Sequence, residues 1–232
     1  MKQQKNNVAP QIVEIVGPAG AGKTTLYQAL RDCKDVRLSN FPDVRKISTA
    51  FFFLWNGLQI SATLRGLSRN NSKKLSRREF AWLSILYGWP SVLQKELKNN
   101  QHIVLDQGPV YLLTGTISFG PNYLREEQAD FFWQDMYSRW ADTLKIIVWL
   151  DAPDADLMKR IRSRNKEHVV KNETVESTFE FLAGYRKAYE RIISNLMANQ
   201  PGLKILRFDT SQIATEEIAN QLLREFNQRN LT

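Results

Sequence analysis

The stretch that most constrains this chain is Gly17-Pro18-Ala19-Gly20-Ala21-Gly22-Lys23-Thr24, which fits the pattern G-x-x-x-x-G-K-[ST] of a phosphate-binding loop. The residue types follow from what gripping a polyphosphate demands. Glycines let the backbone adopt conformations that a side chain would forbid and come close to a ligand. Successive N–H groups then form an anion cradle, and the positive end of the following helix adds to it. Lys23 reaches the β- and γ-phosphates as a mobile point charge, and the Thr24 hydroxyl is a ligand for Mg²⁺. A glycine-rich turn that binds nothing satisfies the same pattern, so the flanks decide. Residues 11–16 are apolar and β-branched, as a buried strand requires, and the run from Thr25 to Leu30 opens in helical register. The loop therefore lies between strand and helix, and Gly17 through Thr25 are the expected nucleotide-binding residues.

The rest of the chain alternates. Helix 23–32 follows the loop, and segments at 36–39, 102–105, 144–150 and 203–208 read as strands. Helical stretches separate them at 44–67, 76–98, 124–140, 173–198 and 216–226, with another from Pro153 to about Arg164. Such alternation implies an α/β domain with a parallel sheet and helices on both faces. Ser76 with Glu79 reads as a capping box, Pro90 as a kink or a new helix start, and Gly184 as an interruption of a long helix. Residues 110–123, containing Gly115, Gly120 and Pro121, read as loop or broken helix. Residues 1–10 are expected to be a disordered tail and 11–232 a single domain, with an exposed basic loop at 68–74 and a mobile segment at 166–172.

A parallel sheet presents ligands at the carboxyl ends of its strands. The glycine loop, Asp106 and Asp151 fall there. A carboxylate ending an apolar strand is costly unless it is exposed in a cleft, paired or near a cation. Asp106 is thus placed to organise Mg²⁺ or act as a base, or else to cap a turn; Asp151, just before Pro153, reads as a cap and turn residue. A second cluster is Lys159-Arg160-Ile161-Arg162-Ser163-Arg164-Asn165-Lys166-Glu167-His168. Arg160 and Arg164, four apart, are expected on one helix face. The cluster is either a solvated helix end or a lid near 160–172 that closes on a phosphoryl group with forked donors. The order of loop, carboxylate and arginines favours the lid.

One cysteine, Cys33, allows no internal disulfide and fits a reducing compartment, so the expected location is cytoplasmic. The polar residues 1–10 carry no secretory signal, and the apolar stretch 50–58 is too short for a membrane span. The net charge of +8 is dispersed outside 69–78 and 159–166, with no aromatic–basic RNA-binding signature. His102 and His168 form no metal cluster with other residues. Aromatics at 51–55 and 80–89 have helical spacing and read as core, with the lining of a pocket as the alternative. The expected partner is a small-molecule acceptor rather than nucleic acid or membrane, and a homodimer is left open.

Together these residues resemble the thymidylate kinase and deoxynucleoside kinase branch of the P-loop kinases, over most of the chain. The resemblance rests on the glycine loop, Ile103-Val104-Leu105-Asp106, Ile147-Val148-Trp149-Leu150-Asp151-Ala152-Pro153, Arg160-Ile161-Arg162-Ser163-Arg164 and Phe181-Leu182-Ala183-Gly184-Tyr185-Arg186. It implies a three-layer P-loop NTPase fold with a five-stranded parallel sheet flanked by helices. It also implies ATP with Mg²⁺ as donor, a lid carrying arginines, and a base contact from Phe208-Asp209-Thr210-Ser211. Asp106 matches the carboxylate of the family's Asp-Arg or Glu-Arg pair, but Gln107 stands where the pair has arginine. No arginine lies between Glu79 and Asp106, and Phe41-Pro42-Asp43 replaces the usual acidic turn. These departures favour a bulkier, less charged acceptor, or an acceptor phosphate held by Arg45, Arg77 or Arg78.

The expected activity is ATP- and Mg²⁺-dependent phosphoryl transfer to a small molecule, nucleoside or nucleotide kinase-like. Lys23, Asp106, Arg160 and Arg164 are the expected catalytic residues, and Thr24 and Asp106 the metal ligands. Two rival readings stand beside it. One is a nucleotide-dependent switch or adaptor, weakened by the missing Asn-Lys-x-Asp, since Asn165-Lys166 is followed by Glu167-His168. The other is a basic nucleic-acid binder, which predicts salt-dependent retention on DNA or RNA.

Overall fold

Five strands, the three central ones buried and the two edge ones half-buried, form a single parallel sheet: β1 Ile12–Val16, β2 Val36–Ser39, β3 His102–Leu105, β4 Leu144–Asp151 and β5 Lys204–Asp209, in the order β2-β3-β1-β4-β5. The computed structural model describes residues 9–39, 41–42, 47–68, 75–97 and 101–228. The helices among them are α1 Lys23–Ala29, α2 Ile47–Ser68, α3 Arg77–Glu96, α4 Pro109–Phe119, α5 Asp130–Thr143, α6 Asp154–Ser163, α7 Val175–Asn199 and α8 Thr215–Gln228. The expected tail at 1–8, the basic loop at 69–74 and Arg45 lie outside the described residues.

Side chains alternate across a strand, and β1 divides the core accordingly. Val13 and Ile15 pack with Leu26, Leu157 and Leu222 on one face. Ile12 and Val16 join Trp89, Leu105, Val110, Trp140 and Tyr189 on the other. Glu14 shares the register of Ile12 and Val16 and is fully buried, which places a carboxylate on that second face.

Three local expectations are corrected, two of them by a contact from far along the chain. Residues 109–119 are one helix, α4, running through Gly115. Its first turn is held by Glu14, whose Oε2 accepts from the Val110 amide at 2.9 Å and whose Oε1 accepts from Tyr111 at 3.0 Å. α3 runs from Arg77 to Glu96 through Pro90 without a break. Proline has no N–H for the carbonyl four residues back, but the Trp140 indole N–H donates to that carbonyl, Leu86 O, at 3.0 Å. α7 passes Gly184 unbroken, in a place where an added Cβ would meet nothing. The capping box is present as expected, with Ser76 and Glu79 bonding each other's amides.

α2 is longer than the apolar stretch that marked it, with 22 residues. Among the described residues no helix is long and apolar enough to cross a membrane.

The indole–carbonyl bond across Pro90 is testable. Leaving a buried carbonyl without a donor costs about 1–3 kcal/mol, so Trp140→Phe is expected to lose that much in urea unfolding besides the cavity it opens. In a Pro90→Ala background the restored amide serves Leu86 instead, and the same substitution is expected to cost less. Equal costs in the two backgrounds would contradict this account.

Candidate active site

β1 and β3 are neighbours and parallel, so the loop leaving β1 and the residue following β3 emerge side by side at the carboxyl edge of the sheet. The loop is pressed on two sides. Gly17 has φ 148°, and a Cβ there would lie 2.1 Å from the Leu150 carbonyl oxygen of β4. Gly20 has φ 88°, and its Cβ would lie 2.9 Å from the Leu157 carbonyl oxygen of α6. Only glycine fits either place. The loop ends in α1, where the Thr24 hydroxyl donates to Asp106 Oδ2 at 3.3 Å. The structure thus brings together loop and carboxylate, 82 residues apart in the chain.

Lys23 folds back over the loop. Its Nζ donates to the carbonyls of Gly17 at 2.6 Å and Pro18 at 2.9 Å. Burial brings the ammonium down to about 8, opposed by the charge of Asp106 and aided by that of Arg164. His168 is lowered as well, first by burial and then by Arg164, Lys23 and Lys166. These residues therefore share one electropositive patch around the loop, and Lys166 and His168 belong to the basic cluster read from the sequence.

The two expected lid arginines part company. α6 ends at Ser163, and Arg164 has extended backbone with ψ 144°, so the pair does not share a helical face. Arg160 is tied down: its guanidinium donates to Thr210 Oγ1 at 2.8 Å, to the Thr210 carbonyl at 3.0 Å and to the Gly20 carbonyl at 3.3 Å. Arg164 is exposed, and its guanidinium has no hydrogen-bond partner among the described residues. The segment expected to be mobile is a turn stitched by bonds from Arg162 to the Glu173 carbonyl at 2.9 Å and from Lys171 to the Arg164 carbonyl at 2.6 Å.

Asp151 belongs to the scaffold. Arg186 of α7 grips it with both edges, Nε to Oδ2 at 2.8 Å and Nη2 to Oδ1 at 3.0 Å, and also pairs with Asp154 at 2.6 Å. In the loop expected to contact a base, Phe208 is buried, Asp209 accepts from Ser211, and Thr210 is held by Arg160.

A cavity of about 590 Å³ is lined by Gln107, the residue that follows Asp106, and by Phe41, Trp82, Tyr111, Tyr185 and Arg78 among others. Of the cations considered for an acceptor phosphate, Arg78 lines it, stacked 4.5 Å over the Trp82 ring, whereas Arg77 faces a different hollow. Most aromatics of α3 are core as expected, Trp89 being buried; Trp82 lines the cavity. Phe51 and Trp55 of α2 are instead exposed, at 67% and 62%.

Glu14 was missed by the sequence reading, although a carboxylate inside an apolar strand was the visible signal. Gly108 is what lets it approach, since a Cβ there would lie 2.6 Å from Glu14 Cδ.

Several known proteins are similar to this chain. The model of a family described as an AAA domain matches residues 12–191. Among solved structures, the YorR protein from Bacillus subtilis in complex with phosphorylated GDP superposes with a TM-score of 0.52 and 17% identity, over 94% of this chain and 96% of that one. Deoxyadenosine kinase from M. mycoides with bound dATP gives 0.50 and 15%, over 94% and 100%. The same enzyme with the products dCMP and a flexible dCDP gives 0.51 and 14%, over 94% and 99%. Likeness at these identities is likeness of fold: a five-stranded parallel sheet flanked by helices. No curated protein matches the chain.

The buried carboxyl of Glu14 yields a pH prediction. Burial pushes it up from 4.5 to about 8, against the lowering effect of the Val110, Tyr111 and Gly108 amides and with a further push from Asp106. Between those values the folded chain holds a proton that the unfolded chain has lost, so this contribution is complete below 4.5 and disappears as pH rises through 8. Thermal melting from pH 5 to 9 without nucleotide is expected to show Glu14→Gln less stable than wild type at pH 5, the gap narrowing toward pH 9. A gap that stays constant would mean that Glu14 holds no such proton.

Proposed function

Since the chain belongs to the AAA domain family, we propose that it is an ATP- and Mg²⁺-dependent phosphotransferase acting on the hydroxyl of a small, flat, weakly charged acceptor, in the manner of nucleoside kinases. The observation that carries this reading is the Thr24–Asp106 pair, 3.3 Å apart, with the next residue, Gln107, lining an aromatic cavity together with Tyr111. A nucleotide switch has no use for such a cavity. The fold likeness to deoxyadenosine kinase supports the same class. A thymidylate-like acceptor is less favoured, because the cavity's arginine is already stacked on Trp82.

The residues fit Mg²⁺. A hydroxyl and a carboxylate oxygen face each other, and this ion takes one or two protein oxygens and fills its shell with phosphate and water. Among the described residues no group of three His, Cys, Asp or Glu could hold a metal by itself, which suits an ion that arrives with its nucleotide. When bound, it neutralises charge on the donor phosphates.

The chain's own residues do the rest. The loop amides hold the polyphosphate, and Lys23 exchanges the Gly17 and Pro18 carbonyls for phosphate oxygens. The acceptor oxygen attacks the γ-phosphorus while the bond to the β–γ bridging oxygen breaks, and ADP leaves. Asp106 orients the acceptor hydroxyl and takes its proton. Arg164, the unpaired arginine of the turn, supplies forked donors to the moving phosphoryl group, while Arg160 keeps the loop in place.

The reading is tested by ADP release against a panel of nucleosides, nucleotides and sugars. At least one acceptor is expected to accelerate release. Lys23→Ala is expected to abolish that acceleration without altering the far-ultraviolet spectrum, and Arg164→Ala to lower kcat by about 10²–10³. Release that no acceptor accelerates would transfer the chain to the switch reading, and an unimpaired Lys23→Ala would remove the phosphoryl-transfer reading altogether.

A further inference from the structure

We propose that the outer face of α2 is the surface through which two copies of this chain pair, antiparallel, about a two-fold axis passing close to Leu58. The inference is independent of the reaction proposed above.

The inner face of α2 is firmly seated. Phe53, Asn56, Gly57, Ile60 and Leu64 are buried. The approach to α3 is tight, since a Cβ on Gly57 would lie 2.7 Å from Ser84 Oγ and one on Gly88 2.6 Å from Asn56 Nδ2. The outer face carries large apolar side chains that this seating leaves in solvent: Phe51 at 67%, Leu54 at 57%, Trp55 at 62% and Leu58 at 59% exposure. The stripe continues through exposed Ala62 and Arg65. Positions 51, 55, 58, 62 and 65 recur at alternate steps of four and three, the spacing of a seam between paired helices.

Three features select a second copy as the occupant. The first is shape. A two-fold interface must complement itself. Antiparallel pairing centred on Leu58 sets Leu58 on its own copy, Leu54 against Ala62 and Trp55 against Ser61. The bulky half of each helix thus meets the small half of the other.

The second feature is charge. No charged residue occurs from Ile47 to Leu64, although the chain carries a net +8. Two copies meet along this strip without like charges facing each other. A helix that lies on an anionic lipid surface carries Lys and Arg along its polar face, and α2 has none before Arg65.

The third feature is area. Two aromatic and two leucine side chains, each more than half exposed, offer about 500 Å² per copy, so a pair buries about 1,000 Å², the lower bound for a specific interface.

Registration makes a sharp test. With Cys33→Ser as background, Leu58→Cys is expected to form a disulfide-linked dimer on mild oxidation. Phe51→Cys is not, because its two copies lie seven residues on either side of the axis, about 21 Å apart along the helix. In equilibrium sedimentation the unmodified chain is expected to be dimeric. Leu58→Glu is expected to pair about a hundredfold more weakly or worse, because like charges would face each other at the axis. Since Leu58 is exposed, its melting as a monomer should be unaltered. A chain that stays monomeric at high concentration, a Leu58→Glu variant that still dimerises, or equal cross-linking from Phe51→Cys would each overturn the proposal. So would a monomer whose binding to phosphatidylglycerol vesicles is lost in Leu58→Glu, which would assign the stripe to lipid.

Discussion

The geometry of the site depends on how closely backbone approaches backbone around the phosphate loop. Gly17 meets the end of β4 and Gly20 meets α6, each with no room for a side chain. Such contacts fix position, but they do not by themselves hold the surrounding elements together. That is the work of a chain of polar contacts behind the loop: Gly20 to Arg160, Arg160 to Thr210, Thr210 to the Asp151 carbonyl at 3.0 Å, and Asp151 to Arg186. It ties the loop to α6, to the ends of β4 and β5, and to α7. The bidentate, half-buried Arg186 pair has the geometry in which an ion pair contributes more than a surface one. A residue expected to close over the transfer is therefore the one that keeps the cradle in shape.

A second tie runs through the core. Glu14 lies three residues before Gly17 and holds the first turn of α4, the helix that brings Tyr111 and Leu112 to the cavity. Burying a carboxyl there is costly, and two amides at a helix N-terminus offset part of the cost. The outcome is a direct connection between the strand that delivers the glycine loop and the wall of the cavity.

What was legible in the sequence was local. The glycine loop announces itself because every residue it needs is contiguous, and the central strands β3 and β4 do so because burial on both faces favours apolar runs. The reading failed where a distant side chain supplied what the local sequence lacked. Gly115 suggested a broken helix because the Glu14 cap lies 96 residues away, whereas the helix does end where Gly120 and Pro121 stand. Pro90 suggested a break because the indole that replaces its amide function lies 54 residues from Leu86. Arg160 and Arg164 looked equivalent because spacing does not show where a helix stops. The periodicity of Phe51 to Leu58 was plain, but periodicity names a face without saying whether the domain covers it.

The departures on the acceptor side now have a physical meaning. Lys23, Arg164, Lys166 and His168 feel one another's charge around the glycine loop. The cavity offers Gln107, aromatic rings and one arginine already engaged with Trp82. An arginine at 107 would place a fork of donors next to Asp106 and compete with Thr24 for its oxygens. Glutamine leaves that carboxylate facing Thr24 and gives the cavity a neutral hydrogen-bonding edge. Asp106 thus stands at a boundary between a strongly positive compartment and a nearly neutral one. A polyphosphate is stabilised on one side alone, and a flat neutral molecule loses least by entering the other. The phosphoryl transfer proposed above would move negative charge across such a boundary, away from the cations that hold it. Donors able to follow the moving group would then be required, and the turn at Arg164, rather than the cavity wall, is where the proposal finds them.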